Sequence, residues 1–159
     1  MYRVWIKRWL CRVCGKTMSV LPDFLFSFRH YLVGVIQDVL EARFEGKLHW
    51  AELKAECSEK GLPALRTMQR WCKSFGGEAS RWLGAVQEVL AQQDSSSAWL
   101  DPQGEAPRAQ SVAEALLGVS EYLLAWGKTQ WAELGEYGRN ERLCFLWLWG
   151  ANRGLGRLV

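Results

Sequence analysis

Histidine, the side chain that most often serves as a general acid or base, is scarce in this sequence. Its two histidines, His30 and His49, lie in stretches with a helical pattern, so neither is placed as the base of a Ser-His-Asp or Cys-His site. The residues after position 21 contain no β-rich segment long enough for the sheet on which a two-metal nuclease carries its carboxylates. Phosphate loops of the G-x-x-x-x-G-K-[ST] or G-x-G-x-x-G type are also missing. We therefore expect that this protein is not an enzyme.

Long apolar runs are missing too, which argues against a membrane protein. The richest run, Leu143–Trp149, is far shorter than the roughly 18 apolar residues of a transmembrane helix. The sequence shows no signal peptide, and its five cysteines are an odd number, which does not suit a disulfide framework. These features predict a protein of the reducing cytoplasm. The cysteines are Cys11, Cys14, Cys57, Cys72 and Cys144.

Acidic residues are absent from the first sixteen positions, which carry five Lys or Arg. Residues 1–93 have 14 Lys or Arg and 9 Asp or Glu, a net charge of +5. Residues 94–159 have 6 and 8, a net charge of −2, so the overall charge is +3. This asymmetry predicts that a polyanion such as nucleic acid would meet the N-terminal half of the chain.

A C-x-x-C-G motif, formed by Cys11, Cys14 and Gly15, lies between two stretches that read as strands, residues 2–10 and 18–21. Strand, C-x-x-C-G and strand together make one knuckle of a zinc ribbon, in which two thiolates reach the same Zn²⁺. The glycine allows the backbone to fold back. Cys11 and Cys14 are therefore candidate metal ligands.

A structural zinc needs four ligands, and the sequence supplies only this half of a site. His30, His49 and Cys57 have no ligand spacing. Either the missing knuckle lies upstream of Met1, which would make the chain a truncated or late-start form, or the hairpin persists without metal. A thioredoxin-like redox role is the other use of C-x-x-C, but no βαβ pattern surrounds it. No other cofactor is indicated.

Apolar side chains recur every three or four positions in six later stretches, which predicts six helices. Asp23 is placed to cap the first, and Ser111 with Glu114 has the spacing of a capping box at the fifth. The last is apolar on nearly all sides, so it should be buried or pack on a partner. The glycine-containing residues after it are predicted to form a flexible, slightly basic tail. The predicted helices cover residues 24–44, 47–60, 63–75, 78–92, 111–126 and 141–149.

The helix predicted over residues 63–75 has one apolar and one mostly basic face. It follows the helix over 47–60 and a short turn that contains Gly61, and Gly76-Gly77 should end it. Helix, short turn and second helix with a basic outer face is the layout of a helix-turn-helix DNA reader. The alternative is an ordinary surface helix, which also has a charged face. The basic face consists of Arg66, Gln69, Arg70 and Lys73, and the apolar face of Leu65, Met68, Cys72 and Phe75.

The predicted fold class is therefore mainly α: a short N-terminal β-hairpin, half of a zinc ribbon, followed by a helical bundle that contains a helix-turn-helix. We expect four regions. They are the hairpin at residues 1–22, a helical DNA-binding domain at 23–93, a linker or long loop rich in Ser, Pro and Gly at 94–110, and a C-terminal helical region with a glycine-rich tail at 111–159.

Several of these motifs resemble a family of uncharacterised domains in transposase-related bacterial proteins. Residues 8–23 resemble the end of their zinc ribbon, and residues 65–71 resemble their recognition helix, with the pattern R-T-x-x-R-W. Residues 145–157 are similar to the ends of such open reading frames. The resemblance implies a DNA-binding protein linked to mobile elements, without proven chemistry. The chain departs from the pattern in lacking the first zinc knuckle.

We therefore predict a sequence-specific protein that reads double-stranded DNA with the helix-turn-helix and contacts phosphates with the hairpin. A homodimer, or a complex with a transposase, is the expected assembly. One alternative is a protein–protein interaction or oligomerisation module that uses the helices rich in tryptophan, of which the chain has ten. Another is a non-functional insertion-sequence remnant. The predicted phosphate contacts of the hairpin are Arg3, Lys7, Arg8, Arg12 and Lys16.

Overall fold

The structure is a computed structural model, and it describes residues 6–20, 31–59, 63–93, 109–131 and 141–159. The prediction of a mainly α fold with a short N-terminal β-hairpin is confirmed. None of the helices in these ranges combines the length and the apolar character needed to cross a bilayer. The elements are β1 (Lys7–Leu10), β2 (Thr17–Val20), α1 (Val33–Phe44), α2 (Trp50–Glu59), α3 (Leu65–Gln93), α4 (Val112–Gln130) and α5 (Arg142–Asn152).

The hairpin pairs β1 and β2 as antiparallel strands, with Trp9 opposite Met18 and Leu10 opposite Thr17. Side chains alternate between the two faces of a strand, so Trp9 and Met18 share one face. The turn between the strands contains Gly15 at a φ of 67°, a conformation that suits glycine. All the described side chains of the hairpin are exposed, so it presents both faces to solvent.

Helix α3 runs without a break for 29 residues. The prediction that Gly76-Gly77 end a helix is therefore wrong, and the two helices predicted over 63–75 and 78–92 are one. A glycine costs about 1 kcal/mol relative to alanine inside a helix, but neither of these adopts a positive φ. Apolar side chains recur at the same spacing before and after the two glycines, and their burial stabilises one continuous helix. Its buried members are Met68, Trp71, Cys72, Phe75, Ala79, Trp82, Val86, Val89 and Leu90.

Helix α1 begins at Val33 and not at the predicted start, Phe24, which lies outside the described residues. Leu32 has extended backbone at φ −61° and ψ 145°, so no helix continues through this position. Tyr31, just before it, packs edge-on against Trp71 of α3, with 5.1 Å between the ring centroids. This contact anchors the extended entry to α1, which a pattern of apolar spacing does not reveal.

Helix α2 begins at Trp50, three residues after the predicted start at Lys47. Lys47 has a positive φ of 55° in the turn that closes α1, so it does not belong to a helix. The Glu52 carboxylate accepts a hydrogen bond of 2.7 Å from the backbone N–H of His49, which fixes the first turn of α2. The buried side chain of Leu53 then anchors this helix to the core.

One hydrophobic core contains side chains from all five helices, with α4 packed along α3 and α5 packed on α4 and α1. The prediction that the last helix is buried is confirmed, because Leu143, Phe145 and Leu146 lie in this core. The apolar surface of α5 is therefore covered by its own chain. Glycines allow the close packing: a Cβ on Gly127 of α4 would lie 2.5 Å from Cζ of Phe145.

The residues after α5 fold back and pack into the core, so the prediction of a flexible tail is wrong. Leu155 donates its backbone N–H to the carbonyl of Gly150 (3.0 Å), and Gly154, at a φ of 72°, donates to that of Ala151 (3.1 Å). These two bonds form a Schellman motif, which ends the helix and turns the chain back. Leu158 and Val159 are then buried in the core. Glycine here ends a helix and directs the chain into the core.

Candidate DNA interface and cysteine knuckle

The N-terminal turns of α3 separate basic and apolar side chains as predicted. Arg66, Gln69, Arg70 and Lys73 are all exposed, and they recur at the three- and four-residue spacing of one helix face. We call these four residues the α3 basic face. The buried side of the same turns carries Met68, Cys72 and Phe75. The core therefore fixes the rotation of the helix and with it the direction of the basic face.

The cations of the α3 basic face are not neutralised within the described part of the chain. Across residues 6–20, 31–59, 63–93, 109–131 and 141–159, no salt bridge involves Arg66, Arg70 or Lys73. Arg81, further along α3, contrasts with them. Its Nη2 lies 2.5 Å from Oε2 of Glu78 and also donates to the carbonyl of Leu155 in the C-terminal turn. The α3 basic face thus keeps its charge available for a polyanion.

Helices α2 and α3 are consecutive along the chain, and the turn predicted between them lies partly outside the described residues. Residues 60–62, including Gly61, are not described, whereas Pro63 and Ala64 precede the first turn of α3. Helix α2 packs on α1. The helix-turn-helix arrangement stays a prediction.

The hairpin brings four of the predicted phosphate contacts together on a small exposed unit. Lys7, Arg8, Arg12 and Lys16 are exposed, and residues 6–20 contain no acidic side chain. Lys7 Nζ lies 4.7 Å from the ring centroid of Trp9, a cation–π contact that orients this side chain along the hairpin. Arg3, the fifth predicted contact, lies outside the described residues.

Cys11 and Cys14 stand at the end of the hairpin as exposed free thiols. Cys11 donates its backbone N–H to the carbonyl of Lys16, and Gly15 donates to the carbonyl of Cys11, both at 2.9 Å. The backbone N–H of Cys14, then that of Val13, and the Cys14 thiol donate to the Cys11 sulfur and lower the pKa of this thiol. Backbone N–H groups aimed at a sulfur favour its thiolate form, which is the form that binds metal.

The donor set at this turn fits half of a structural zinc site. Two thiolates from one turn can chelate a Zn²⁺, and structural zinc takes four such ligands. No group of three or more metal-binding side chains occurs within the part of the chain that the structure describes. His49 is exposed at the start of α2, while His30 and the side chain of Cys57 lie outside that part. A Zn²⁺ ion bound here would therefore need two further ligands from outside this turn.

Cys72, by contrast, belongs to the core. Burial raises the pKa of its thiol to about 11, and the nearby guanidinium of Arg43 offsets part of this rise. Arg43 itself stacks 5.2 Å from the ring centroid of Trp50 and donates a 3.3 Å hydrogen bond to the carbonyl of Leu48. These contacts link the end of α1 to α2 and α3 behind the basic face.

An ion cluster centred on the buried side chain of Arg142 joins three helices and was not predicted. Arg142 Nη2 lies 2.9 Å from Oε1 of Glu41 and 2.7 Å from Oε1 of Glu45, both on or next to the end of α1. Its Nη1 lies 3.1 Å from Oε1 of Glu121 and donates to the carbonyl of Leu117, both in α4. The Arg142 side chain is only 1% exposed. The cluster is a structural clamp between α1, α4 and α5.

Gln37 extends this cluster toward the backbone of α5. Its amide nitrogen donates a 2.6 Å hydrogen bond to Glu41, and its amide oxygen accepts a 3.0 Å bond from the N–H of Leu143. That N–H belongs to the first turn of α5, where no intrahelical acceptor exists. A buried glutamine on α1 thus caps a helix more than one hundred residues later in the chain.

One family model, described as a domain of unknown function (DUF6431), matches residues 1–71. The matched part includes the hairpin, α1, α2 and the first turns of α3, so of the predicted site residues only Lys73 lies beyond it. Neither the curated proteins nor the solved structures contain a match.

Proposed function

We propose that this protein binds double-stranded DNA, with the α3 basic face in the major groove and the hairpin on the phosphate backbone. One observation carries the proposal: the α3 basic face is a set of exposed side chains whose cations form no ion pair among the described residues. Arginine and glutamine donate to base edges in the major groove, and lysine and arginine neutralise phosphates.

The dimensions of α3 suit this proposal. From Arg66 to Lys73 the helix rises by roughly 10 Å, and the major groove is about 12 Å wide. The basic face occupies the N-terminal turns, the part of a recognition helix that contacts base edges. The next exposed positions are Gly76, Gly77 and Ser80, whose small size leaves room for a sugar–phosphate backbone.

The basic hairpin supports the same function by a different contact. Its four described cations, with no acid between Ile6 and Val20, form a unit that attracts phosphates without reading sequence.

We further propose that the protein has no catalytic activity of its own and that it functions in the cytoplasm. We also propose that it belongs to a mobile element and that its partner is a second copy or a transposase. The scarcity of histidine and the resemblance of residues 8–23 and 65–71 to transposase-related proteins support these points.

The test is fluorescence anisotropy with labelled random-sequence duplex DNA, followed by selection of preferred sequences from a pool of duplexes. Binding in the micromolar range or tighter at low salt is expected for the unaltered chain. The Arg66→Ala and Arg70→Ala variants should each weaken binding to a selected site by roughly 1–3 kcal/mol if the side chain reads a guanine.

A matched control is Lys128→Ala, which removes one exposed cation from the last turn of α4. This variant should change DNA affinity far less than Arg66→Ala or Arg70→Ala. If all three variants bind DNA equally well, the assignment of the α3 basic face is wrong. If the unaltered chain does not bind DNA at low salt, the proposal as a whole is wrong.

A protein–protein module is the second candidate, and the exposed apolar side chains of the hairpin favour it. Trp9 is 52% exposed, Met18 65% and Val13 97%. Solvent-exposed apolar groups of this size on one small unit are typical of a contact surface. Association through such a surface would change little with salt, whereas DNA binding falls steeply as salt is raised.

A further inference from the structure

The end of the hairpin, residues 11–16, exposes two thiols that one metal ion can bind together. We call this segment the hairpin tip. Cys11 and Cys14 are both exposed, and the turn that carries them is closed by the two 2.9 Å backbone hydrogen bonds between Cys11, Gly15 and Lys16. Val13, which lies between the two cysteines, is 97% exposed, so nothing in the described chain covers the hairpin tip.

We propose that two copies of this chain join through their hairpin tips and share one Zn²⁺ ion, held by Cys11 and Cys14 of each copy. Each tip supplies two thiolates, and two tips together supply the four ligands of a closed structural site. The thiol protons pass to the buffer as the four Zn–S bonds form. A two-fold arrangement of this kind uses the same surface on both copies, as a symmetric dimer requires.

Charge at the hairpin tip favours this arrangement only when the metal is present. Each tip carries Arg12 and Lys16 and no acid, so two tips without metal repel each other. Zn²⁺ with four thiolates has a net charge of −2. This negative charge would lie between the four cations, which are Arg12 and Lys16 of each copy. The same ion thus supplies the bonds between the copies and offsets the repulsion between them.

Apolar side chains next to the tip gain from the contact. Val13 and Leu10, 97% and 63% exposed, are the large apolar side chains within or beside residues 11–16. Such a small contact area is far below the interface of a stable metal-free dimer. The dimer should therefore require zinc and dissociate when zinc is removed.

The test is a zinc titration of the full 159-residue chain, kept reduced with a phosphine and free of DNA. Native mass spectrometry should show binding that saturates at one zinc per two chains, together with a doubling of the 18.2 kDa mass. A chelator should restore the monomer. Cobalt in place of zinc should give the visible bands of a tetrahedral site, with charge-transfer absorption from four thiolates at one cobalt per two chains.

Variants separate the hairpin tip from the other cysteines. The Cys11→Ser/Cys14→Ser double variant should lose both zinc binding and dimerisation. Cys144→Ala, which changes a buried cysteine of α5, should keep both. The exposed hairpin tip lies outside the helical core, so the double variant should remain folded. The far-ultraviolet circular dichroism of each variant checks this.

Three results would overturn the proposal: one zinc per monomeric chain, a dimer that forms equally well without zinc, or no zinc binding by the reduced chain. None of these results depends on DNA. The inference can therefore fail while the chain still binds DNA through α3, and it can hold if the chain does not.

Discussion

Gly150 of α5 lies against the indole ring of Trp82 of α3 so closely that a Cβ at this glycine would overlap the ring. Trp82 is fully buried, and its Nε1 has no hydrogen-bond partner within the described ranges. The contact is therefore van der Waals packing of a helix backbone against an aromatic ring. It couples the C-terminal helix to the long helix that carries the α3 basic face.

Replacing Gly150 with alanine should destabilise the fold, although alanine is the better helix former. The gain in helix propensity is about 1 kcal/mol, but overlap with the Trp82 ring forces the two helices apart, and overpacking of this kind typically costs 1–3 kcal/mol. We expect a net loss of up to about 2 kcal/mol in the free energy of unfolding, measured in urea. The Gly84→Ala variant is the control, because a Cβ at this exposed position of α3 would contact no other helix. Equal stability of the two variants would contradict the close packing.

The continuity of α3 predicts the opposite effect for the two glycines in its middle. Gly76→Ala and Gly77→Ala place a Cβ in open space on a helical backbone, so each should stabilise the fold by about 0.5–1 kcal/mol. Urea unfolding of the single variants and of the double variant measures this. A glycine that ended a helix in the left-handed conformation would instead lose stability on the same change. A destabilised Gly77→Ala would therefore restore the two-helix interpretation of residues 63–92.

Loss of the Arg142 cluster should destabilise the fold strongly. Arg142→Ala removes a guanidinium from the partly buried site of Glu41 and Glu45, whose side chains are 26% and 27% exposed. The loss of one partner of a buried ion pair costs about 3–5 kcal/mol, and the partial exposure of the glutamates should keep the effect at the lower end. Arg70→Ala, which removes an exposed arginine, should stay within about 0.5 kcal/mol of the unaltered chain in the same urea series. A similar stability of both variants would show that the cluster does not stabilise the packing of α1, α4 and α5.

The cysteines should differ in reactivity as their surroundings dictate. The pKa of Cys11 is lowered by the backbone N–H groups of Cys14 and Val13, so its thiolate fraction at neutral pH exceeds that of an ordinary thiol. The pKa of Cys72 is raised to about 11 by burial, so this thiol should stay protonated and protected in the folded chain. Alkylation with iodoacetamide across a pH series, followed by peptide mass spectrometry, measures both. Glutathione is the reference thiol, and a Cys11 that reacts only at higher pH than glutathione would contradict the turn geometry.

Local patterns in the sequence predicted the elements, whereas contacts between distant parts of the chain decided the differences. The spacing of Met68, Cys72 and Phe75 correctly predicted which side of α3 is buried, because this follows from the helical period alone. The end of a helix at Gly76-Gly77 was predicted from propensity alone, which burial along the whole of α3 overrides.

The Arg142 cluster and the C-terminal turn show why the rest could not be predicted. Glu41 and Arg142 are 101 positions apart, and no periodicity connects them. A three-glycine segment is as compatible with a flexible tail as with a Schellman turn. What distinguishes the two is the burial of Leu158 and Val159, which depends on the folded core.

The most direct test of DNA binding through α3 is the salt dependence of binding to one duplex, compared between the unaltered chain and the Arg66→Gln/Arg70→Gln/Lys73→Gln variant. Each lost phosphate contact should make the slope of log K against log salt shallower by about 1, so the change should be about 1 if only Lys73 contacts phosphate and about 3 if Arg66 and Arg70 do so as well. Weaker binding with this shallower slope, at unchanged unfolding free energy, is the result that we expect. An unchanged slope and affinity would show that the α3 basic face does not contact DNA.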